Sequence, residues 1–446
     1  MAAPSAFGGL DLSIIGLGTQ YPPYDLQPSA LNTIANKFYP ETEAMGKVLK
    51  VNTFTGIETR SSVGTPDHPL VNQPKAPSIE DVHKIFISDG VPLAVKAARK
   101  AIDEARIDLK SITHIVSTTC TDSANPGFDH YVAKGLGITH KVEKVLLHGV
   151  GCSGGLAALR TGANLALGHR ARGIPARVLC VALEVSTTLV RSELDSINEL
   201  QETRIGACLF SDCASAVVLS NGLGDPVDPV YDLLGWDHRI IPDTEEDLGF
   251  DVHPLGWKVI LTPKVPKVAS EIVRPAFDDL LAQLPNLPAG CREPSDFDWA
   301  MHPGGSSILA GVERAMGYSD MHQRASYMTY MQHGNSSSAT IFSVMDRLRT
   351  KEMDAMAPGG RVREHVVGCA FGPGIAVEIC MLKRNLQHGT KLIALQTPPE
   401  TDSESGGDIG DGDESVADES FSNSSEGLGQ KDSQFVQDAL EQLDLD

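Results

Sequence analysis

Three residues far apart in the chain have the types and settings for acyl-transfer chemistry. Cys152 stands in Gly151-Cys152-Ser153-Gly154-Gly155, between a short apolar run and a long small-residue helix. A cysteine opening a helix meets unpaired backbone N–H groups and the positive end of the helix dipole, which favour the nucleophilic thiolate. The flanking glycines leave room for a substrate to approach the sulfur. His302 ends the strand-like run 298–301 and is followed by Pro303-Gly304-Gly305, while Asn335 lies in Gly334-Asn335-Ser336-Ser337-Ser338 at the start of another helix. Such junctions are where side chains are aimed into clefts. Taken singly, each has an ordinary explanation: an inert buried cysteine, a hydrogen-bonded core histidine, a helix N-cap asparagine. Taken together, a thiol, an imidazole and a carboxamide make a nucleophile with a proton acceptor and an amide donor.

The elements that must position them alternate. Strands are expected over 10–18, 112–118, 177–184, 214–220, 297–301, 365–370 and 376–382. Leu93, Ala97, Ala98, Ala101, Ile102 and Ala105 recur at helical spacing. Further helices are expected over 152–167, 268–284, 306–316 and 338–348. This order is that of an α/β fold with buried sheets, and its repetition suggests a duplicated unit. The expected divisions are an N-terminal extension (1–10), a first half carrying the cysteine (11–224), a second half carrying the histidine and asparagine (225–384), and a tail (385–446).

Composition narrows the function. The net charge is −21, but −14 of it falls between Glu400 and Asp446, leaving −7 over the first 399 residues. That tail, rich in Ser, Gly, Asp and Glu, is expected to be disordered, with a short amphipathic segment at Phe435, Ala439, Leu440 and Leu443. The chain carries no basic field for nucleic acid. Its eight cysteines include no Cys-x-x-Cys pair, so neither a metal site nor a disulfide framework is expected. The N-terminus lacks the pattern of a signal peptide, and no run is long and apolar enough for a membrane span. A soluble, cytoplasmic protein is the expectation.

The order Gly-Cys-x-Gly-Gly, His-Pro-Gly-Gly, Gly-Asn-x-Ser-Ser and Phe371-Gly372-Pro373-Gly374 resembles that of the type III polyketide synthases, the chalcone-synthase-like enzymes. Lesser matches lie at Pro126-Gly127-Phe128-Asp129, Leu209-Phe210-Ser211-Asp212 and Pro242-Asp243-Thr244-Glu245, so the likeness runs from about Leu10 to Arg384. Among the members it is most similar to fungal makers of alkylresorcylic acids, alkylresorcinols and alkylpyrones. The resemblance implies a thiolase-like fold of five layers, α-β-α-β-α, with the active site between the halves. It also implies a homodimer that uses acyl-CoA and malonyl-CoA and no cofactor or metal.

The resemblance also implies roles for particular residues. Cys152 would carry the acyl group, with His302 and Asn335 assisting. Phe210 matches the gatekeeper, and Phe371–Gly374 a loop involved in cyclisation. Lys47, Lys50 and Ser307 fall at coenzyme A positions, and Phe54 stands where a third cation is usual. Cys120, Ser186, Phe250, Val259 and Ser337 fall at pocket positions. Val259 replaces a bulky aromatic of the plant pattern and Phe250 fills a glycine position, which points to a redirected pocket and a medium or long fatty acyl starter. Asn125 departs from the methionine that plant members insert into the partner's cavity.

Three rival readings use the same residues. Gly151-Cys152-Ser153-Gly154-Gly155 also fits the nucleophile elbow of α/β-hydrolases, with Ser153 attacking. A carrier-protein-dependent ketoacyl synthase shares the Cys-His-Asn set. An inert lipid-binding scaffold would need none of the three groups.

Overall fold

The structure is a computed structural model describing residue 7 and residues 9–224, 226, 228–253 and 256–388. The tail expected to be disordered lies, from residue 389 onward, outside the described residues. Nine strands form one sheet: β1 (Ser13–Gln20), β2 (His114–Thr118), β3 (Glu143–Leu147), β4 (Arg177–Val185), β5 (Asp212–Ser220), β6 (Tyr231–Ile240), β7 (Asp298–Met301), β8 (His365–Gly372) and β9 (Ala376–Arg384). Their spatial order is β7-β8-β9-β6-β1-β5-β4-β2-β3.

The pairings expose a duplication. From β1 outward through β5, β4 and β2, the pairs are antiparallel, antiparallel and parallel. From β6 outward through β9, β8 and β7 the same succession recurs. The two halves meet at a short antiparallel contact, Ser13↔Asp232 and Ile14↔Tyr231, where Ser13 Oγ donates to Asp232 Oδ1 at 2.8 Å.

The helices used below are α1 (Glu43–Asn52), α2 (Val91–Ala105), α3 (Gly154–Arg170), α4 (Val265–Ala282), α5 (Ser306–Met316) and α6 (Thr340–Leu348). Helix α2 covers one face of the first half, and α4, with α5 packed on it, covers the far face of the second. Helices α3 and α6 touch strands of both halves and each other, so they form the middle of five layers. This is the thiolase-like arrangement.

Strand alternation explains why the layers hold. On β4, Val178 and Cys180 enter the central core with Leu156, Leu159 and Ile341, while Leu179 and Val181 face α2 and its alanines. Strand β4 is therefore apolar on both faces and reads as a continuous hydrophobic run, as expected of a strand buried between helices. Arg160 of α3 reaches across to β9, donating to Glu378 at 2.9 and 2.7 Å. Arg324 and Asp298, both essentially inaccessible, form a two-pronged pair at 2.9 Å that anchors the start of β7.

Several boundaries differ from expectation. Sequence patterning gives no sign of β6, whose outward half, Trp236-Asp237-His238-Arg239, is polar. It also passes over the antiparallel hairpin Leu248–His253 and Gly256–Leu261. The ordered chain continues past Arg384: Asn385 N donates to Val230 O at 2.9 Å, and buried His388 sits against Asp228 at 3.1 Å. At the other end Phe7 packs on Trp236 with ring centroids 5.0 Å apart.

Candidate active site

The duplication brings the chemistry together. Cys152 lies just before α3 and Asn335 shortly before α6, the two central helices, one from each half. His302 follows the last residue of β7. All three line one cavity, together with Cys120, Ser186, Phe210, Phe250, Val259, Ser337, Phe371 and Pro373.

Cys152 is not itself the first residue of a long helix. It sits in a 3₁₀ turn, Gly151–Ser153, that runs into α3. The glycines around it serve protein packing rather than substrate access. Gly151 has φ +55°, and a Cβ there would lie 2.6 Å from the ring of Pro373. A Cβ on Gly155 would lie 2.5 Å from Ile341 and 2.6 Å from the Ser338 carbonyl. The nucleophile turn is thus pressed against both the Phe-Gly-Pro-Gly loop and the segment that carries Asn335.

Asn335 is held by its backbone and its amide. Its N–H donates to Leu209 O at 3.0 Å, and its carbonyl accepts from Ser211 N at 2.9 Å, which places Phe210 beside it. Its Oδ1 accepts from Ser337 N at 2.8 Å, and its Nδ2 donates to Gly304 O at 3.2 Å. Only one amide orientation satisfies both bonds. One of the two N–H groups on Nδ2 is thereby used, and the second is left for a ligand.

Ser337 connects the two halves of the site. Its hydroxyl donates to Cys152 Sγ at 3.4 Å and lies 3.5 Å from Cys120 Sγ. It adopts φ +45°, a left-handed conformation uncommon outside glycine and typical of over-determined functional turns.

Electrostatics depart from the expected thiolate. Burial pushes the Cys152 thiol up to about 11; the Ser337 hydrogen bond opposes this and the Glu184 charge adds to it. Burial also pushes the His302 imidazole down to about 3. Burial is the largest influence on both groups and favours the neutral form of each. Both ring nitrogens of His302 are buried with no hydrogen-bond partner among the described residues.

Sequence reasoning missed Glu184, although an acid inside the apolar run Val181-Ala182-Leu183-Glu184-Val185 was a visible signal. It is fully buried and accepts from Cys120 N at 3.2 Å, Thr121 Oγ1 at 2.9 Å and Ser338 Oγ. Burial raises its pKa, and these donors, Ser338 first, pull it back. A buried carboxylate is costly without such partners. Here it ties the ends of β2 and β4 to the turn holding Ser337.

The remaining expected residues are placed less centrally. Lys47 and Lys50 lie on α1 outside the cavity wall, Lys47 half-buried and 3.1 Å from Glu43, Lys50 exposed. Ser307 is half-buried in the first turn of α5 and also off the wall, as are Gly372 and Gly374. Ser153 is buried with its hydroxyl donating to Val150 O at 3.2 Å, and it does not line the cavity. The hydrolase reading therefore loses its nucleophile.

Residues 42–223 match the chalcone and stilbene synthases, N-terminal domain, and residues 234–386 match the C-terminal domain of the same enzymes. The chain belongs to this family. It is similar to the type III polyketide synthase pspB of Penicillium soppii, 39% identical over 391 residues that cover 84% of this chain and 96% of the relative. The acylalkylpyrone synthase csyB of Aspergillus oryzae is 36% identical over 378 residues, 84% of this chain and 94% of that protein. An X-ray structure of a type III pentaketide synthase from Neurospora crassa is 64% identical, with a TM-score of 0.83, covering 84% of this chain and 100% of that one. The chain is thus a type III polyketide synthase, an acyltransferase that works by Claisen condensation, and the carrier-protein-dependent and inert readings fall away. Among the described residues of the synthase, no helix is long and apolar enough to cross a membrane.

Proposed function

We propose that this synthase moves a medium- or long-chain fatty acyl group from coenzyme A onto Cys152. It then extends that group with several malonyl-CoA units and closes the chain to an alkylresorcylic acid, alkylresorcinol or alkylpyrone. The observation that carries this reading is one cavity lined by thiol, imidazole and carboxamide, with a largely apolar surface that includes Leu31, Ile34, Val71, Leu189, Leu261 and Ile308. Such a wall suits an alkyl chain, gaining about 0.8 kcal/mol per methylene buried. A structure of CsyB, 36% identical with a TM-score of 0.80, is described as complexed with CoA-SH.

In the first step His302 accepts the Cys152 proton, the sulfur attacks the starter thioester, and coenzyme A thiolate leaves. In the second, malonyl-CoA loses its carboxylate as CO₂, and the electron pair remains as an enolate on the thioester oxygen. The second N–H of Asn335 and the imidazole would stabilise that charge. The enolate carbon then attacks the acyl carbonyl on Cys152 and displaces the sulfur. Phe210 lies beside Asn335 as the gate, Lys47, Lys50 and Ser307 supply outer coenzyme A contacts, and Phe371–Gly374 bounds the space for cyclisation. A phosphate binding to Lys47 displaces Glu43 from it. No cofactor or metal enters these steps.

A homodimer, as the resemblance implies, is the proposed assembly. The cytoplasm is the proposed site of action.

The direct test is incubation with malonyl-CoA and a graded series of saturated acyl-CoAs, without carrier protein, followed by mass analysis. Longer chains should give alkylated aromatic or pyrone products, and exclusive use of aromatic or acetyl starters would overturn the assignment. Ser186→Phe places a ring in the cavity wall and should shift the preferred starter shorter by several carbons; an unchanged preference removes Ser186 from the channel. Asn335→Ala should lower malonyl-CoA decarboxylation by on the order of 10²–10³-fold while starter loading on Cys152 persists. Loss of loading to the same degree would show that Asn335 acts on the nucleophile instead.

A further inference from the structure

The far end of β2 and α3, away from the cavity, holds a second group of chemically able side chains. His114 is the first residue of β2 and lies opposite Glu143, the first residue of β3, in the parallel register. Alternation along β2 turns His114 to the same face as Val116, which packs in the central core with α3. There the last turn of α3 brings His169 over it, with ring centroids 4.6 Å apart and planes at 73°. His169 follows Cys152 by seventeen residues along the helix, roughly 25 Å.

His114 Nδ1 lies 2.8 Å from the Thr113 hydroxyl, which also lies 3.1 Å from Arg177 O. With Nδ1 engaged there, Nε2 is the ring nitrogen that faces the cluster, and a metal on Nε2 would select the tautomer whose Nδ1–H donates to Thr113. His114 is 2% exposed, and both its Nε2 and the Nδ1 of His169 are buried without a hydrogen-bond partner among the described residues. The Glu143 Oε2 stands 3.7 Å from His114 Nε2, too far for a hydrogen bond. One ligand atom from each of the three residues lies within 4.8 Å of the others. Three possible donor atoms thus converge, two of them on imidazoles whose buried nitrogens have no other partner among the described residues.

We propose that His114, His169 and Glu143 form a binding site for a divalent transition metal, with Zn²⁺ the best match. Two imidazoles and one carboxylate are zinc's ordinary nitrogen and oxygen donors, with water completing a tetrahedron. Soft-metal and alkaline-earth sites use other donor sets. Zinc requires donors about 3.4 Å apart, so the cluster closes by about 1 Å on binding. Half-buried His169 and exposed Glu143 can supply that movement. The Thr113 contact is the outer hydrogen bond that commonly orients a metal-bound imidazole. The charge of Arg172 opposes a cation here, but its side chain is exposed and donates to Gly168 O at 3.3 Å. The site departs from the sequence expectation of no metal. It is separate from the proposed reaction and would pin the end of α3 to the β2–β3 edge.

The test uses the full-length protein, stripped with chelator and titrated with ZnCl₂ by calorimetry, and with CoCl₂ by visible absorption. Cys152→Ala is run in parallel to remove the cavity thiol as a competing ligand. Both proteins should bind one equivalent, with cobalt bands of a four-coordinate site and no sulfur-to-cobalt charge transfer. His169→Gln should weaken binding by about 100-fold or more and Glu143→Gln by about 10-fold. Zinc should raise the melting temperature of the parent and not that of His169→Gln. Undiminished binding by both variants, a sulfur charge-transfer band, or no binding by the parent at ~100 µM zinc would overturn the proposal. Should His169→Gln fail to fold, Glu143→Gln at its exposed position decides the matter.

Discussion

Cys152→Ala should lose acyl-enzyme formation altogether, and product formation should fall by on the order of 10⁴-fold or more. Mass analysis of the protein after incubation with an acyl-CoA would show no added acyl group. The same variant should still decarboxylate malonyl-CoA, because the groups proposed to hold the enolate lie elsewhere: His302 beyond β7, and Asn335 anchored by Leu209, Ser337 and Gly304. Residual acylation in this variant would assign the nucleophile to another side chain. Cys120 is the nearest alternative, joined to Cys152 through the Ser337 hydroxyl. Burial and the neighbouring Glu184 both hold the Cys120 thiol well above its ordinary range, which makes it the poorer nucleophile.

His302→Ala should convert Cys152 into an isolated buried thiol. Burial, which pushes the thiol up to about 11 in the parent with no contribution from His302, then opposes ionisation with no proton acceptor beside it. At pH 7 about 1 in 10⁴ of such thiols is ionised, so alkylation by iodoacetamide should slow by about 10³-fold or more relative to the parent. The sign is definite: a raised thiol pKa makes the rate climb about tenfold per pH unit between pH 7 and 10. In the parent, burial takes the imidazole down to about 3 and so keeps it unprotonated at pH 7, and it is the proposed acceptor of the thiol proton during attack. Alkylation of His302→Ala at the parental rate at pH 7 would remove His302 from nucleophile activation.

Much of the fold was legible because its buried strands announce themselves. The runs at Arg177–Val185 and His365–Gly372 are apolar on both faces, and helix Ser306–Met316 has a glycine on either side. Strand β6 was not, since half of it extends beyond the core and its polar residues read as loop. The same division holds at the site. Residue type and setting pointed to a thiol, an imidazole and a carboxamide, and the structure sets all three on one cavity wall. Their protonation could not be read, because it depends on burial by segments that arrive from remote parts of the chain. Glu184 was overlooked for a related reason: its partners Thr121 and Ser338 become neighbours only after β2, β4 and the turn before α6 assemble.

The sheet joins the two halves through only a pair of residues on each side, Ser13 and Ile14 against Asp232 and Tyr231. The spacing between sulfur and amide is consequently set by a different seam, where Gly155 meets Ser338 and Ile341. That seam acts as the gauge of the reaction. In the proposed mechanism, side chains that never touch a substrate, by being absent or small there, would decide whether an enolate held in one repeat comes within bonding range of an acyl carbon carried by the other.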